Sequence, residues 1–212
     1  MKSGKIAVCL SGPSQDGISM FSNFKHFFST FENYDVFYCT DPVEPYTSKQ
    51  IVELYKPVTY IEEAVQSKYE GKFGTNLYGK MLSNELKKRY EIQNEFRYDI
   101  VISTKFGLDY FNSKFLNTAI YPRTIYSVGR SNDNIPTDFE HHSINDMLIW
   151  GDSPSMDIVT NTYRHYKFKC LAKDITMRNG MNDDPGEIYY SIGALLYNRA
   201  IANNVTHERV VL

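Results

Sequence analysis

Three acids, an asparagine, a lysine and a small-residue turn stand in this chain where an α/β protein would do chemistry. The segment YDIVISTKFGLDYF holds the clearest strand, Asp99 to Ser103, and a polar loop with Lys105, Gly107 and Asp109 follows it. In such proteins ligands sit at the carboxyl end of a buried strand. A carboxylate there can hold Mg²⁺ or Mn²⁺, with a nucleotide's phosphates supplying further oxygen ligands. The cation then offsets charge that builds on a leaving diphosphate. Asp109 is the metal candidate, against the plainer reading that it starts a turn. Lys105 can add positive charge to the same phosphates.

Three other places carry candidate chemistry. Ser11-Gly12-Pro13-Ser14-Gln15 is a small-residue turn after the first apolar run. Its backbone N–H groups can face a nucleotide base or phosphate, or it can be a plain turn. The three-glycine dinucleotide spacing is missing, and no Gly-Lys-Ser/Thr follows. Asn145 and Asp146 stand at the edge of an expected strand, where an acid can orient a sugar hydroxyl or act as general base. Glu187, in Asp184-Pro185-Gly186-Glu187, fits a capping box and is also an acid near a helix start. No H-E-x-x-H, G-x-S-x-G or C-x-x-C occurs, so zinc hydrolase, serine hydrolase and thiol-redox chemistries lack their signatures.

The elements that must position these residues alternate. Ile6–Leu10 reads as a strand buried on both faces. Phe21, Phe24, Phe28 and Phe31 recur at helical steps. Residues 35–40 form a second strand, 48–55 a helix closed by Pro57, and 58–61 a short third strand. Residues 62–76, with Gly71 and Gly74, read as a loop or a short helix and a loop. Tyr78, Met81, Leu82, Leu86 and Tyr90 mark one face of a long helix. Lys87, Lys88 and Arg89 on it read as a solvated face. The second half is less regular: a strand-like run over 119–128, a long loop over 129–142 and a strand over 144–150. A helix is expected from Ser153-Pro154, with the serine as its cap, and a last helix carries Ile188, Ile192, Leu195 and Leu196. This pattern predicts a single α/β domain over 1–212, with a mostly parallel Rossmann-like sheet and helices on both faces. The chain divides into a regular half over 1–110 and a less regular half over 111–212.

The bulk composition narrows the class. The chain is 42% hydrophobic, enough for a substantial core, and its formal charge of -2 offers no broad basic field to nucleic acid. No run approaches a transmembrane helix. The 3 cysteines, Cys9, Cys39 and Cys170, are too few and too widely spaced for a disulfide framework. A cytoplasmic, reducing setting is expected.

Four segments together resemble a family of small glycosyltransferases of bacteria and large DNA viruses. They are KIAVCLSG with DVFYCT; YDIVISTKFGLDYF; INDMLIWGDSPSMDIVTNTY; and DDPGEIYY. The resemblance spans most of the chain and rests on the ordered set. It implies a GT-A-like fold with a nucleotide-binding half over 1–110 and an acceptor-side half over 111–212, a nucleotide-sugar donor, a glycan or other acceptor, and Mn²⁺ or Mg²⁺ where a metal is used. By position, Asn145, Asp146 and Glu187 match the family directly. Ser103, Lys105 and Gly107 stand where its R-x-R-x-D motif has Arg, Arg and Asp. Ser11 and Gly12 would approach the nucleotide, Lys105 the diphosphate and Asp109 the cation. Asp146, Asn145 and Glu187 would serve the acceptor side. The departures in the central motif keep a second expectation open, a non-catalytic binder of nucleotide or glycan on the same fold. The oligomeric state stays open.

Overall fold

The computed structural model describes residues 4–13, 15–29, 31–41, 44–63, 71–106, 119–129, 147–165, 196 and 199–211. Their strands are β1 (Ile6–Ser11), β2 (Asp35–Thr40), β3 (Thr59–Glu62), β4 (Ile100–Lys105), β5 (Thr124–Gly129), β6 (Leu148–Gly151) and β7 (Thr206–Val211). All join one sheet in the order β3-β2-β1-β4-β6-β5-β7. The first four strands run parallel. β6 is antiparallel to both β4 and β5, and β7 is parallel to β5. The sheet is therefore mostly parallel, and β4 is its middle strand.

The labelled helices are α1 (Gln15–Ser19), α2 (Phe21–Phe28), α3 (Pro45–Tyr55), α4 (Gly71–Gln93) and α5 (Ser153–Thr160). They cover both faces of the sheet, which is why β1 is buried at every position and reads as an unbroken apolar run. On one face Val8, Leu10, Tyr38, Ile102 and Trp150 pack with Phe24, Phe27 and Phe28 of α2. The phenylalanine stripe works as aromatic packing: the Phe24 ring centroid lies 4.6 Å from Phe28 and 4.8 Å from Tyr55. On the other face Ala7, Cys9, Phe37, Val101 and Ile149 pack with Leu77, Met81 and Leu86 of α4 and Met156 and Val159 of α5.

The structure corrects several sequence-based boundaries. α3 begins at Pro45, because proline at the first helical position loses no hydrogen bond there. α4 begins at Gly71, so the stretch expected as a loop, or as a short helix and a loop, contributes to the long helix from 71 onward. Ser153 lies inside α5, and the cap position falls on Asp152. β7 was not expected; its Thr206-His-Glu-Arg run is too polar to stand out, yet it pairs with β5 along its whole length. Of the expected loop over 129–142, Gly129 is the last residue of β5 and the rest lies outside the described residues, as does most of the last helix. Leu196 of that helix is buried. Among the described residues, no helix is long and apolar enough to cross a membrane.

Candidate functional site

The order of the strands locates a crevice. From β1 the chain moves outward to β2 and β3, and α4 then carries it back to set β4 on the other side of β1. Such a reversal leaves an opening at the carboxyl ends of the two central strands, where α/β sheets bind ligands. At that opening Ser11 and Lys105 are register partners. The Phe106 N–H donates to the Ser11 carbonyl at 3.2 Å and ties the two strand ends together. Side chains alternate along a strand, so Ser11 follows Ala7 and Cys9, and Lys105 follows Val101, onto the α4 face.

Glycine shapes both sides of this edge. Gly12 adopts φ 105°, a backbone state that side-chain-bearing residues rarely take. Among the described residues, no atom lies within 4 Å of the place a Gly12 Cβ would occupy, so the space above it is open. Gly79 of α4 has the opposite environment: its Cβ would lie 3.1 Å from the Ser11 Cβ. The early turns of α4 thus rest directly on the end of β1. Lys80 follows and is fully buried.

Lys105 is partly buried, with its Nζ 3.3 Å from the Met147 sulfur. The Thr104 hydroxyl donates to the Met147 carbonyl at 3.1 Å. Met147 is the residue after Asp146 in the chain. On the other flank Cys39 is the register partner of Ser11. Burial, with help from the Glu63 and Asp41 carboxylates, pushes the Cys39 thiol up to about 12. The Tyr78 hydroxyl of α4 donates to Glu63 at 2.7 Å, and its ring lies 4.8 Å from that of Tyr163. Acids therefore gather beyond β2, and a lysine and a hydroxyl stand at the β1–β4 opening.

Of the residues singled out from sequence, the structure brings Ser11, Gly12 and Lys105 together at one strand edge. Asp109, Asn145, Asp146 and Glu187 lie outside the described residues. Among those described, no three His, Cys, Asp or Glu side chains converge as a metal site. The groups described at the opening suit a phosphate better than a cation, since a lysine offers only donors. Ser103, in the place of the family's first arginine, is fully buried between its partners Cys9 and Ile149. Two open hollows of ≈ 430 Å³ and ≈ 400 Å³ lie elsewhere, beside α2 and α3 and at the end of α4.

Sequence reasoning missed Gly79, Lys80 and the burial of Lys87. Lys87 is the reverse of a solvated residue: its ammonium is fully enclosed between Glu91 and Asp157. The available signal was the period, because Lys80, Ser83, Asn84, Lys87 and Glu91 recur at helical steps on one face.

No protein-family model matches the chain, and no curated protein matches it. Solved structures do. One is a glycosyltransferase involved in the glycosylation of the major capsid of PBCV-1; it is 7% identical, with a TM-score of 0.48, covering 98% of this chain and 82% of that one. Another is a candidate nucleotide-diphospho-sugar transferase from Desulfovibrio desulfuricans G20; it is 8% identical, with a TM-score of 0.48, covering 98% of this chain and 79% of that one. Likeness at this level gives no residue a role. The chemistry has to come from the residues themselves.

Proposed function

We propose that this chain is a glycosyltransferase of GT-A-like architecture that uses a nucleotide-sugar donor. The observation that carries the reading is the pairing of Ser11 with Lys105 at the β1–β4 reversal, beside the open space over Gly12. A diphosphate needs hydrogen-bond donors and positive charge at a strand end, and the side chains at this edge are the Ser11 hydroxyl and the Lys105 ammonium. In this reading Ser11 and Gly12 approach the nucleotide, and Lys105 faces the diphosphate. Asp109 takes a Mg²⁺ or Mn²⁺ ion where one is used; the ion's part would be to offset charge on the departing diphosphate. Asp146 is the acceptor-side acid or base, Asn145 positions a hydroxyl, and Glu187 serves the same side. The contact between Met147 and Lys105 supports this, because it ties the chain next to Asp146 to the donor edge. The acceptor is a glycan or another hydroxyl-bearing molecule.

A panel of nucleoside diphosphates and their sugars tests the reading by thermal shift, with and without Mn²⁺. A ligand that binds only the folded state raises apparent stability according to its concentration over Kd. Stabilisation by one nucleotide, followed by sugar transfer that Asp146→Ala abolishes without moving the Tm, is the expected result. Turnover that survives in Asp146→Ala removes that residue from the reaction.

One observation favours a second reading, a non-catalytic binder of nucleotide or glycan. Ser103 is sealed inside the sheet and cannot serve as the ligand-facing arginine of the resembling family. Tight nucleotide binding without transfer or donor hydrolysis would decide for it.

A further inference from the structure

The hollow of ≈ 430 Å³ beside α2 and α3 is a place apart from the crevice. Tyr34 precedes β2, Val36 is near its start, and Lys56 follows the last residue of α3. All three line the hollow, which therefore sits at the amino end of β2. The crevice over Ser11 and Gly12 opens at the carboxyl ends of the strands, roughly 17 Å away along a strand of this length.

The lining is aromatic and held in place. Phe21, Phe24, Tyr34 and Tyr55 all contribute to it. Phe24 and Tyr55 are buried, while Phe21 and Tyr34 are partly exposed. The Tyr55 hydroxyl donates to the Gly17 carbonyl at 2.8 Å, which fixes the ring from behind. Its ring centroid lies 5.0 Å from Phe21, edge to face, and 4.8 Å from Phe24. Tyr34 meets Phe24 edge-on at 6.1 Å. Rings locked together in this way form a wall before any ligand arrives.

Charge stands at the rim. Lys25 of α2 and Lys56 after α3 line the hollow from two separate elements, and both are exposed. Of the described lining residues only Glu53 is acidic, and Lys49 lies 3.9 Å from its carboxylate. The rim is thus net positive. Lysine stems can lie along apolar surface while their ammonium groups stay in water.

We propose that this hollow is a second binding site, separate from the crevice, for a small aromatic acid, with its ring against Phe21, Phe24, Tyr34 and Tyr55 and its carboxylate toward Lys25 and Lys56. The volume suits one ring with a short tail, since pockets for small ligands run roughly 300–1,000 Å³ and are lined mainly by apolar and aromatic side chains with a few polar groups. A sugar fits less well, because each hydroxyl taken out of water needs a partner and this lining offers few. The proposal does not depend on the transferase reading.

Amide NMR with phenylacetate at millimolar concentration tests the site, with phenylacetamide as its uncharged twin. Phenylacetate should shift amides over 21–25, 34–36 and 53–56. Phenylacetamide keeps the ring and loses the charge, and should bind about five-fold more weakly. The double variant Lys25→Gln with Lys56→Gln should bind phenylacetate as weakly as the amide, with the amide's own affinity unchanged. Phe21→Ala should weaken both ligands. Lys88→Gln, beside the other hollow at the end of α4, should change neither. If Phe21→Ala fails to fold, the lysine pair and the comparison of acid with amide carry the test. No shifts, or shifts that gather around Lys88, Ile92 and Phe96 instead, overturn the site. Undiminished phenylacetate binding by the lysine double variant, or tighter binding of methyl glucoside at the same amides, overturns the aromatic acid as its ligand.

Discussion

Helix α4 crosses the end of β1 at Gly79, where a side-chain carbon would lie 3.1 Å from the Ser11 Cβ. That closeness sets how far the helix, and Lys80 with it, stands from the strand end. Gly79→Ala brings two opposed effects. Alanine gains about 1 kcal/mol over glycine inside a helix, while the new methyl pushes α4 away from Ser11 by a few tenths of an ångström. The expected outcome is a Tm within a few degrees of wild type and a clear loss of nucleoside diphosphate affinity by calorimetry. Unchanged affinity would show that the spacing does not shape the site.

Gly12 calls for the opposite signature. There is room for a Cβ, but the φ of 105° is strained for any residue that carries one. Gly12→Ala should lower stability by about 1 kcal/mol or more in urea unfolding. A variant as stable as wild type would mean that the turn after β1 relaxes without cost.

The buried Lys87 is held by two carboxylates at once, Glu91 and Asp157. Removing the cation leaves both acids facing each other in a site of low polarisability. Lys87→Met should therefore destabilise by roughly 3–5 kcal/mol. The double change Lys87→Met with Asp157→Asn should recover part of the loss. Urea midpoints for the two variants and wild type decide this; equal midpoints for single and double variants would show that charge imbalance is not the cause.

The same residue shows where sequence reading reached its limit. Lys87, Lys88 and Arg89 look alike in a string, and a charged run on a helix is usually solvated. Lys88 and Arg89 follow that rule to different degrees, one partly exposed and one exposed. The polar period of α4 and the i,i+4 spacing to Glu91 were local signs that Lys87 is buried, but its other partner, Asp157, stands 70 residues away, and no local pattern carries that pairing. The parallel half of the sheet was legible because strands covered on both faces leave continuous apolar runs such as IAVCL. Ser11, Gly12 and Lys105 were legible as strand ends. Gly79 and Lys80 were not, because their meaning comes from a helix crossing a strand. β7 escaped because an edge strand with a solvated side carries polar residues, here the exposed Thr206 and Glu208.

β6 joins the parallel half of the sheet to β5 and β7 through one crowded position. A Cβ on Gly151 would lie 2.6 Å from the Thr124 carbonyl oxygen, a backbone atom that cannot swing aside. Gly151 is also the register partner of both Val101 and Ile125. Gly151→Ala must then part the strands locally, at an overpacking cost of about 1–3 kcal/mol. The urea midpoint should fall. Hydrogen exchange should quicken in β5 and β7 before β1 and β2, and uniform exchange would show that the two halves of the sheet do not open separately.

Alkaline pH should unfold this protein through its thiols and phenols. Burial raises the Cys9 thiol from its ordinary 9.0 to about 12, and Cys39 shifts to about 12 as well. Burial also raises the phenols of Tyr38 and Tyr98, the latter helped by its hydrogen bond to Asp35. Each folded-state value lies above the unfolded one, so the folded chain holds its protons longer. The contribution is full below about pH 9, where thiols are protonated in both states. Above that the unfolded chain ionises first, and stability drains away as pH rises toward about 12. Urea midpoints should be steady from neutral to about pH 8 and then fall steeply. Cys9→Ala should make the fall shallower. A midpoint that holds level through the thiol range would mean that Cys9 and Cys39 ionise in the folded chain as readily as in the unfolded one.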